Sequence, residues 1–296
     1  MTPKKRLNIL LADDGSQHAQ AAVELLQNLP IPTKSRIWIL RAFNSGQIPS
    51  LGEFEASLER SKNQLTGRGF HVDTELKLGS AAEMILEKAE AHKQDLIVLG
   101  AKGLRSTVSI LLGGVAQHVL EYATCPVLIV RAPYRGFQKI LMVTDGSPSS
   151  LSAARYLGKF PLPPKLDVHV MHVLPPIEVP VMMEPYYGRW QMVYAMYPTR
   201  EEEAAIRKRD AKLGEALLKR TSSLLQRNGI ESTPVLMRGD AATEIMDYVK
   251  AEKIDLIVAG SRGLGNFKSL WVGSVSRKLV HYSDCSVLIV KGPRKE

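Results

Sequence analysis

Short, almost continuously apolar runs alternate along the chain with longer segments whose apolar residues recur at helical spacing. In the segment 81–93, AAEMILEKAEAHK, the apolar positions fall on one face of a helix. The apolar runs have the length and near-uniform hydrophobicity of strands buried on both faces. They include NILLA (8–12), RIWIL (36–40), DLIVLG (95–100) and PVLIV (126–130). Strands alternating with helices predict parallel β-α-β units, and therefore a doubly wound α/β fold.

The whole pattern occurs twice. LNILLADDGS at 7–16 matches KILMVTDGS at 139–147 with an offset of 131. Later segments match with an offset of 160, namely 78–104 with 238–264 and 123–133 with 283–293. The offsets differ by 160 − 131 = 29 residues, so the second copy contains an insertion of that length. We therefore predict two domains, 1–134 and 135–296, the second with an insertion at about 175–205.

The inserted segment is unusually rich in methionine, aromatic residues and proline. It reads PPIEVPVMMEPYYGRWQMVYAMYPTREEEA and predicts an irregular loop that packs apolar groups. Such a loop either covers a hydrophobic face of its own domain or dimer, or covers a ligand or docks a partner. Directly after it, 199–226 predicts a long helix with a threonine cap and an acidic first turn.

Composition narrows the class of protein. The chain has 296 residues, 45% hydrophobic and 23% charged, which is typical of a soluble globular protein. No apolar run reaches the roughly 20 residues of a membrane span, and the N-terminus lacks the pattern of a secretory signal. Two cysteines make no disulfide framework and favour a reducing compartment. We therefore expect a cytoplasmic protein without a membrane span.

The formal net charge of +9 favours anionic ligands in general. The sequence has no basic block with interleaved aromatic residues, no zinc-finger spacing and no RNP-like motif. These absences argue against a nucleic-acid partner.

Two elements of each copy are candidates for ligand binding. An Asp-Gly-Ser turn containing Asp14 or Asp145 follows the first strand, and a glycine-rich loop, 100–114 or 260–274, follows the fourth. Ligands of doubly wound sheets bind beyond the carboxyl ends of the strands, where the strand order reverses. Glycines permit positive φ and close approach of a ligand, and the next helix, starting at Ser274, offers unpaired N–H groups to a phosphate. Ser274 either caps that helix or donates to a phosphate oxygen.

Each of these features also has a purely structural interpretation. Gly260 and Gly263 would turn the chain off its strand, and Gly273 would allow tight helix packing. The aspartates would form Asx turns beside capping serines, Ser16 and Ser147. Four basic residues flank the loops and fit either phosphate contacts or solvated surface charges. They are Lys102, Arg105, Arg262 and Lys268.

Together these motifs resemble the universal stress protein family in its tandem two-domain form, over nearly the whole chain except the insertion. The nucleotide motif of that family is G-x2-G-x9-G-[ST]. The second copy matches it in full, and the first copy matches all but its last position. The matching residues are Gly260, Gly263, Gly273 and Ser274 in the second copy and Gly100, Gly103 and Gly113 in the first, where Gly114 replaces Ser or Thr.

The resemblance implies roles for individual residues. The backbone of the motif would hold phosphates and ribose, and Asp14 and Asp145 would contact the nucleoside. The residue after the second strand's histidine would line the adenine pocket. This carries over to Val173 and, since Arg41 replaces the histidine, less closely to Ala42. The residues that follow the motif, Val115 and Val275, belong to the same implied site.

The resemblance also implies the architecture. Each domain would be a Rossmann-like, five-stranded parallel sheet of order 3-2-1-4-5 with helices on both faces, of the adenine-nucleotide α-hydrolase type. The two domains would pair through their fifth strands, at 126–130 and 286–290. A homodimer and an unidentified protein partner are left open.

The functional prediction is a stress-response regulator that binds ATP, ADP or AMP, with Mg²⁺ on the phosphates, and responds through conformation or partner binding. The alternative is a scaffold of the same fold that needs no nucleotide. The chain lacks a Walker lysine and a repeated histidine or glutamate base, so at most slow, incidental ATP hydrolysis is expected. No metal-ligand cluster is predicted, because His169 and His172 would face opposite sides of a strand.

Overall fold

A computed structural model describes residues 6–103, 112–177, 181–186, 189–195, 198–263 and 272–292. For residues 48–49, 181–186 and 189–195 only the backbone is described. None of the helices within these ranges is long and apolar enough to cross a membrane.

The four apolar runs quoted above all form strands. In chain order the strands are β1 (Asn8–Ala12), β2 (Arg36–Phe43), β3 (His71–Leu78), β4 (Leu96–Gly100), β5 (Val127–Val130), β6 (Lys139–Val143), β7 (Asp167–Leu174), β8 (Val181–Tyr186), β9 (Arg189–Ala195), β10 (Thr233–Arg238), β11 (Leu256–Gly260) and β12 (Ser286–Val290).

Helices alternate with these strands, as the periodicity predicts. They are α1 (Gln17–Asn28), α2 (Leu51–Thr66), α3 (Ala81–Ala91), α4 (Gly114–Tyr122), α5 (Pro148–Lys159), α6 (Arg200–Gln226), α7 (Ala241–Glu252) and α8 (Ser274–Tyr282). A 3₁₀ helix over Ser45–Ser50 leads into α2.

Ten strands form one continuous sheet, in the order β10-β7-β6-β11-β12-β5-β4-β1-β2-β3. Within each repeat the pairing is parallel and the order is 3-2-1-4-5, which confirms the predicted fold. The repeats join where β5 and β12 pair antiparallel, with Leu128 opposite Leu288. The expected pairing of the two domains through their fifth strands is therefore present within the chain.

Successive residues of the central strands point to opposite faces of the sheet, and both faces are covered. In β1, Ile9 and Leu11 pack in a cluster with α1, α2, α5 and α6, whereas Leu10 packs with α3, α4, α7 and α8. Burial on both faces explains why runs such as Ser286–Val290 are apolar without alternation.

The insertion corrects one prediction. Instead of an irregular loop, its backbone forms an antiparallel hairpin of β8 and β9, which pair only with each other among the described strands. Pro185 lies within β8, and the pairing shifts register between Met182 and Met183, so the hairpin is irregular. The predicted helix after it is confirmed, because Thr199 and Glu202 form a reciprocal capping box at the start of α6.

Candidate nucleotide sites

The two aspartate turns have the same geometry in both repeats. Asp14 Oδ1 accepts the Ser16 N–H at 3.0 Å, and Asp145 Oδ1 accepts the Ser147 N–H at 3.0 Å. Both serines then cap the following helix, accepting N–H groups of Ala19 and Ser150. The interpretation of these aspartates as Asx-turn residues beside capping serines is therefore correct.

The capping serines also connect the aspartate turn to the glycine loop. Ser16 Oγ donates to the Lys102 carbonyl at 3.1 Å, and Ser147 Oγ donates to the Arg262 carbonyl at 3.2 Å. Because β1 pairs with β4 and β6 with β11, turn and loop lie side by side at the carboxyl edge of the sheet. The crevice predicted at this edge is thus formed in each repeat.

The first two glycines of each motif serve close packing rather than positive φ, which corrects the sequence interpretation. Six motif glycines lie before the helices α4 and α8, and none of them has positive φ. They are Gly100, Gly103, Gly113, Gly260, Gly263 and Gly273. A β-carbon on Gly260 would lie 2.6 Å from the α5 backbone at Ser149 and Ser150. A β-carbon on Gly100 would lie 2.7 Å from His18 Cβ in α1. The fourth strand can therefore approach the first helix only because these positions lack side chains.

The second glycine makes room for the aspartate. A β-carbon on Gly263 would lie 2.6 Å from Asp145 Oδ2, and one on Gly103 would lie 2.5 Å from Asp14 Oδ2. Each carboxylate therefore lies directly against the backbone of its glycine loop. A ligand held by the loop amides would also meet this carboxylate.

The third glycine begins the helix whose N-terminus faces the crevice. Gly113 and Gly273 are the N-cap residues of α4 and α8, and no described side chain caps either helix. Ser274 is therefore the first helical residue rather than the cap, which settles one of the two roles considered for it. By contrast, serines cap the neighbouring helices α1 and α5. The uncapped N–H groups carry a partial positive charge, which is favourable for an anion.

These elements enclose a cavity of about 430 Å³ in the second repeat. Its walls include every residue predicted for this site, namely Asp145, Val173, Gly260, Gly263, Gly273, Ser274 and Val275. Arg262 also lines the cavity and is exposed to solvent. The cavity is within the size range of small-ligand sites.

The first repeat has an equivalent cavity of about 470 Å³. Its walls include Asp14, Ala42, Gly100, Gly103, Gly113, Gly114 and Val115, again the full predicted set. Lys102 lines it in the position of Arg262. The remaining flanking residues, Arg105 and Lys268, lie outside the described part of the chain.

The two cavities differ in charge at two positions next to the aspartate turn, 13 and 41 in the first repeat and 144 and 172 in the second. In the first, Arg41 is 6% exposed, and its guanidinium lies 4.0 Å from the Phe54 ring centroid. Burial lowers the pKa of Arg41, against the opposing effect of the Asp13 and Asp14 carboxylates. The Asp13 carboxylate accepts Ser61 Oγ–H at 2.7 Å.

In the second cavity these positions carry uncharged or weakly basic side chains. His172 replaces Arg41 and makes a 2.8 Å hydrogen bond through Nδ1 with the Thr144 carbonyl. Thr144 replaces Asp13, and its hydroxyl lies 3.4 Å from that of Thr221. The repeat has therefore kept the loop and helix geometry while changing the charge below the aspartate turn.

Several lining residues were not predicted. They include Ala81, Ile85, Ala241 and Ile245 on the helices after the third strands, and Asn44 and Gln47 in the first cavity. Ala81 and Ile85 match Ala241 and Ile245 at the 160-residue offset, so the repeat alignment contained a signal for the helix positions. Asn44 and Gln47 lie in and beside the 3₁₀ helix, where no comparable signal exists.

Comparison with known proteins identifies the family of both repeats. The universal stress protein family model matches residues 5–131 and again residues 136–291. A universal stress protein of Methanocaldococcus jannaschii is 27% identical over 169 residues, covering 57% of this chain and 90% of the relative. One of Thermus aquaticus is 38% identical over 136 residues, covering 42% of this chain and 97% of the relative.

The fold of the whole chain also has a solved counterpart. A universal stress protein from Archaeoglobus fulgidus superposes with a TM-score of 0.67 at 19% identity, covering 98% of both chains. This likeness extends over both repeats. Since the family model matches both halves, the chain belongs to the universal stress protein family and carries two copies of its domain in tandem.

Proposed function

We propose that each repeat binds an adenine nucleotide, ATP or a close relative, in its cavity. The phosphates would lie on the N–H groups at the start of α4 or α8 and on the glycine-loop amides, near Lys102 or Arg262. Asp14 or Asp145 would contact the ribose, and Ala42 or Val173 would line the adenine pocket. Mg²⁺ would enter with the phosphates.

One observation carries this proposal. In both repeats an uncapped helix N-terminus, an aspartate and a basic residue line one cavity. The partial positive charge of the helix N-terminus and the full charge of the basic residue favour the phosphates. The aspartate can accept a hydrogen bond from the nucleoside. A loop that served only to connect strand and helix would not need this set twice.

The nucleotide would act as a regulatory ligand in a stress response rather than as a substrate. In the second cavity His172 and Asp145 are the candidate bases among the described lining residues, and each already has a structural hydrogen bond, to Thr144 and to Ser147. Turnover would therefore be slow and incidental, and the response would come from a change in conformation or partner binding. With two cysteines in 296 residues, we place the protein in the cytoplasm.

Thermal unfolding with and without Mg-ATP tests the proposal. Binding to the native state alone adds about 2.7 kcal/mol to the unfolding free energy at a hundredfold excess over Kd. The matched control is the double variant Gly113→Val/Gly273→Val. A β-carbon on Gly273 lies 3.6 Å from Arg262 Cα and Gly263 N, an ordinary contact distance, so valine fills the loop without a clash at Cβ. No shift with ATP, ADP or AMP would contradict the proposal and favour a nucleotide-independent scaffold.

A further inference from the structure

Two basic residues cross from one repeat to the other just after the fifth strands. Arg131 follows β5, and its Nη2 donates to the carbonyls of Val280 at 2.8 Å and His281 at 3.3 Å, in the last turn of α8. Lys291 follows β12, and its Nζ donates to the carbonyl of Leu120, in the last turn of α4. Arg131 matches Lys291, and Leu120 matches Val280, at the 160-residue offset. The contact is thus reciprocal.

The receiving helices are those whose N-termini line the cavities. The last carbonyls of a helix have no partner within it and carry partial negative charge, so a cation there stabilises the helix. Each of these helices has nine residues and spans about 13 Å. One end therefore faces the cavity of its own repeat, and the other end is held by a cation from the other repeat.

The same two cations are joined by short backbone links to the glycine loops of their own repeats. Val130, next to Arg131, accepts the Ala101 N–H at 2.8 Å, and Ala101 accepts the Gly113 N–H at 2.8 Å. In the second repeat the corresponding links run from Ser261 N–H to Val290 at 2.9 Å and from Gly273 N–H to Ser261 at 2.7 Å. The links and the two helices form a closed ring that contains both cavities.

Both cations are half-buried at the joint between the repeats. Burial lowers the pKa of Arg131 and lowers that of Lys291 to about 8. The Arg131 N–H also donates to Ser286 Oγ at the start of β12, at 3.2 Å. A cation that has lost part of its hydration is stabilised by the carbonyls that it contacts, so these contacts favour one position of the helix ends.

We propose that Arg131 and Lys291 are positioning residues that act across the repeats: each holds the phosphate-binding helix of the other repeat, so that nucleotide in one cavity raises the affinity of the other. The inference rests on the proposed function and adds its regulation. A nucleotide that orders the start of α8 would also order its last turn, Arg131, and through Val130 and Ala101 the first glycine loop. The second ligand would then have less ordering to supply.

Binding measurements in single-site proteins test the crossed effect. Gly113→Val leaves only the second cavity for ATP, and Gly273→Val leaves only the first. We expect Arg131→Met to raise the Kd of the second cavity about two- to fivefold, the size of a charge effect at a helix end, and to change the first cavity less. Lys291→Met should give the reverse pattern, and Arg131→Lys and Lys291→Arg should retain most of the affinity. Equal changes at both cavities, or a larger change in the variant's own repeat, would overturn the proposal.

The coupling itself is read from the two-site protein. The Kd of the second cavity when the first is saturated should be lower than its Kd in Gly113→Val. The ratio of the Kd in Gly113→Val to the Kd with the first cavity saturated should fall to one when Arg131 and Lys291 are both replaced by Met. A ratio of one in the unmodified protein would overturn the coupling.

Amide hydrogen exchange without ligand separates this inference from the proposed function. Lys291→Met should speed exchange in α4 and leave α8 unchanged, and Arg131→Met should do the opposite. Faster exchange throughout the chain, or only in the variant's own repeat, would overturn the positioning role. If neither single-site protein binds ATP, ADP or AMP, the proposed function fails, and the exchange pattern still decides whether the cations act across the repeats.

Discussion

The carboxylate of Asp145 occupies the space that a side chain at Gly263 would need, with Oδ2 only 2.6 Å from the position of its β-carbon. The contact recurs between Asp14 and Gly103. It shows that the aspartate turn and the glycine loop, which are 118 residues apart in the second repeat (263 − 145), are built as one unit. The aspartate alone is therefore a reason for glycine at this position.

This contact makes the first prediction. Gly263→Ala should push the Asp145 carboxylate aside and weaken ATP binding in the second cavity about tenfold, as expected for loss of one hydrogen bond to a charged group. The Kd is measured by calorimetry in the Gly113→Val background. Gly52→Ala is the control, since its β-carbon would enter open space in α2. Unchanged affinity in Gly263→Ala would show that Asp145 does not contact the ligand.

The last motif position, Gly114 in the first repeat and Ser274 in the second, gives the next prediction. Nothing lies within 4 Å of a β-carbon at Gly114, so the first cavity can accept the serine found at position 274. Gly114→Ser should lower the Kd of the first cavity by up to about tenfold by adding a hydroxyl donor to a phosphate. It is measured in the Gly273→Val protein.

The matched swap is Ser274→Gly in the Gly113→Val protein. It should raise the Kd of the second cavity by a similar factor. If neither swap changes affinity, the hydroxyl does not reach the phosphates.

The first glycine of the motif is predicted to matter for stability. Gly260→Ala places a β-carbon 2.6 Å from the α5 backbone, which cannot move as a flexible side chain would. We expect a loss of about 1–3 kcal/mol in the free energy of unfolding, typical of overpacking. Urea unfolding measures it, with Gly52→Ala again as control. Unchanged stability would show that the strand and helix are free to separate at this point.

Lys291 predicts a pH dependence of stability. Its pKa in the folded protein is about 8, lowered from 10.5 mainly by burial and by Arg262, with Cys125 and Glu121 acting in the opposite direction. Between these values the unfolded chain binds more protons than the folded one, so stability from this group rises with pH. The full gain is up to about 3 kcal/mol, for 10.5 − 8 = 2.5 pKa units.

The measurement is the free energy of unfolding of the wild type relative to Lys291→Met at several pH values from 7.5 to 10. The free energy of unfolding of the wild type should increase relative to that of Lys291→Met as the pH rises. A difference that stays constant over this range would show that Lys291 keeps its ordinary pKa.

The pairing of the fifth strands was implied only by the family resemblance. The residues themselves predicted the doubly wound fold and the crevice between each aspartate turn and glycine loop, because each rests on a local pattern that occurs twice. Asp145 and Gly263, for example, each follow an apolar run, and parallel strands bring their carboxyl ends to the same edge. The resemblance to a known family then supplied the order of the strands.

The contacts between the repeats were not predictable in this way. Arg131 lies 149 residues from Val280, and their contact depends on the antiparallel register of β5 and β12. Without the register of β5 and β12, a basic residue after a buried strand is interpreted as an ordinary surface charge. The reason for Gly260 was likewise hidden, because a tight strand–helix approach leaves no trace in the sequence other than the glycine itself.

The number of nucleotides bound per chain tests the central claim most directly. Calorimetric titration with ATP should give two sites in the wild type, one in Gly273→Val, one in Gly113→Val and none in the double variant. Binding that persists in the double variant, or a wild type that binds no ATP, ADP or AMP, would contradict the assignment of the cavities at α4 and α8.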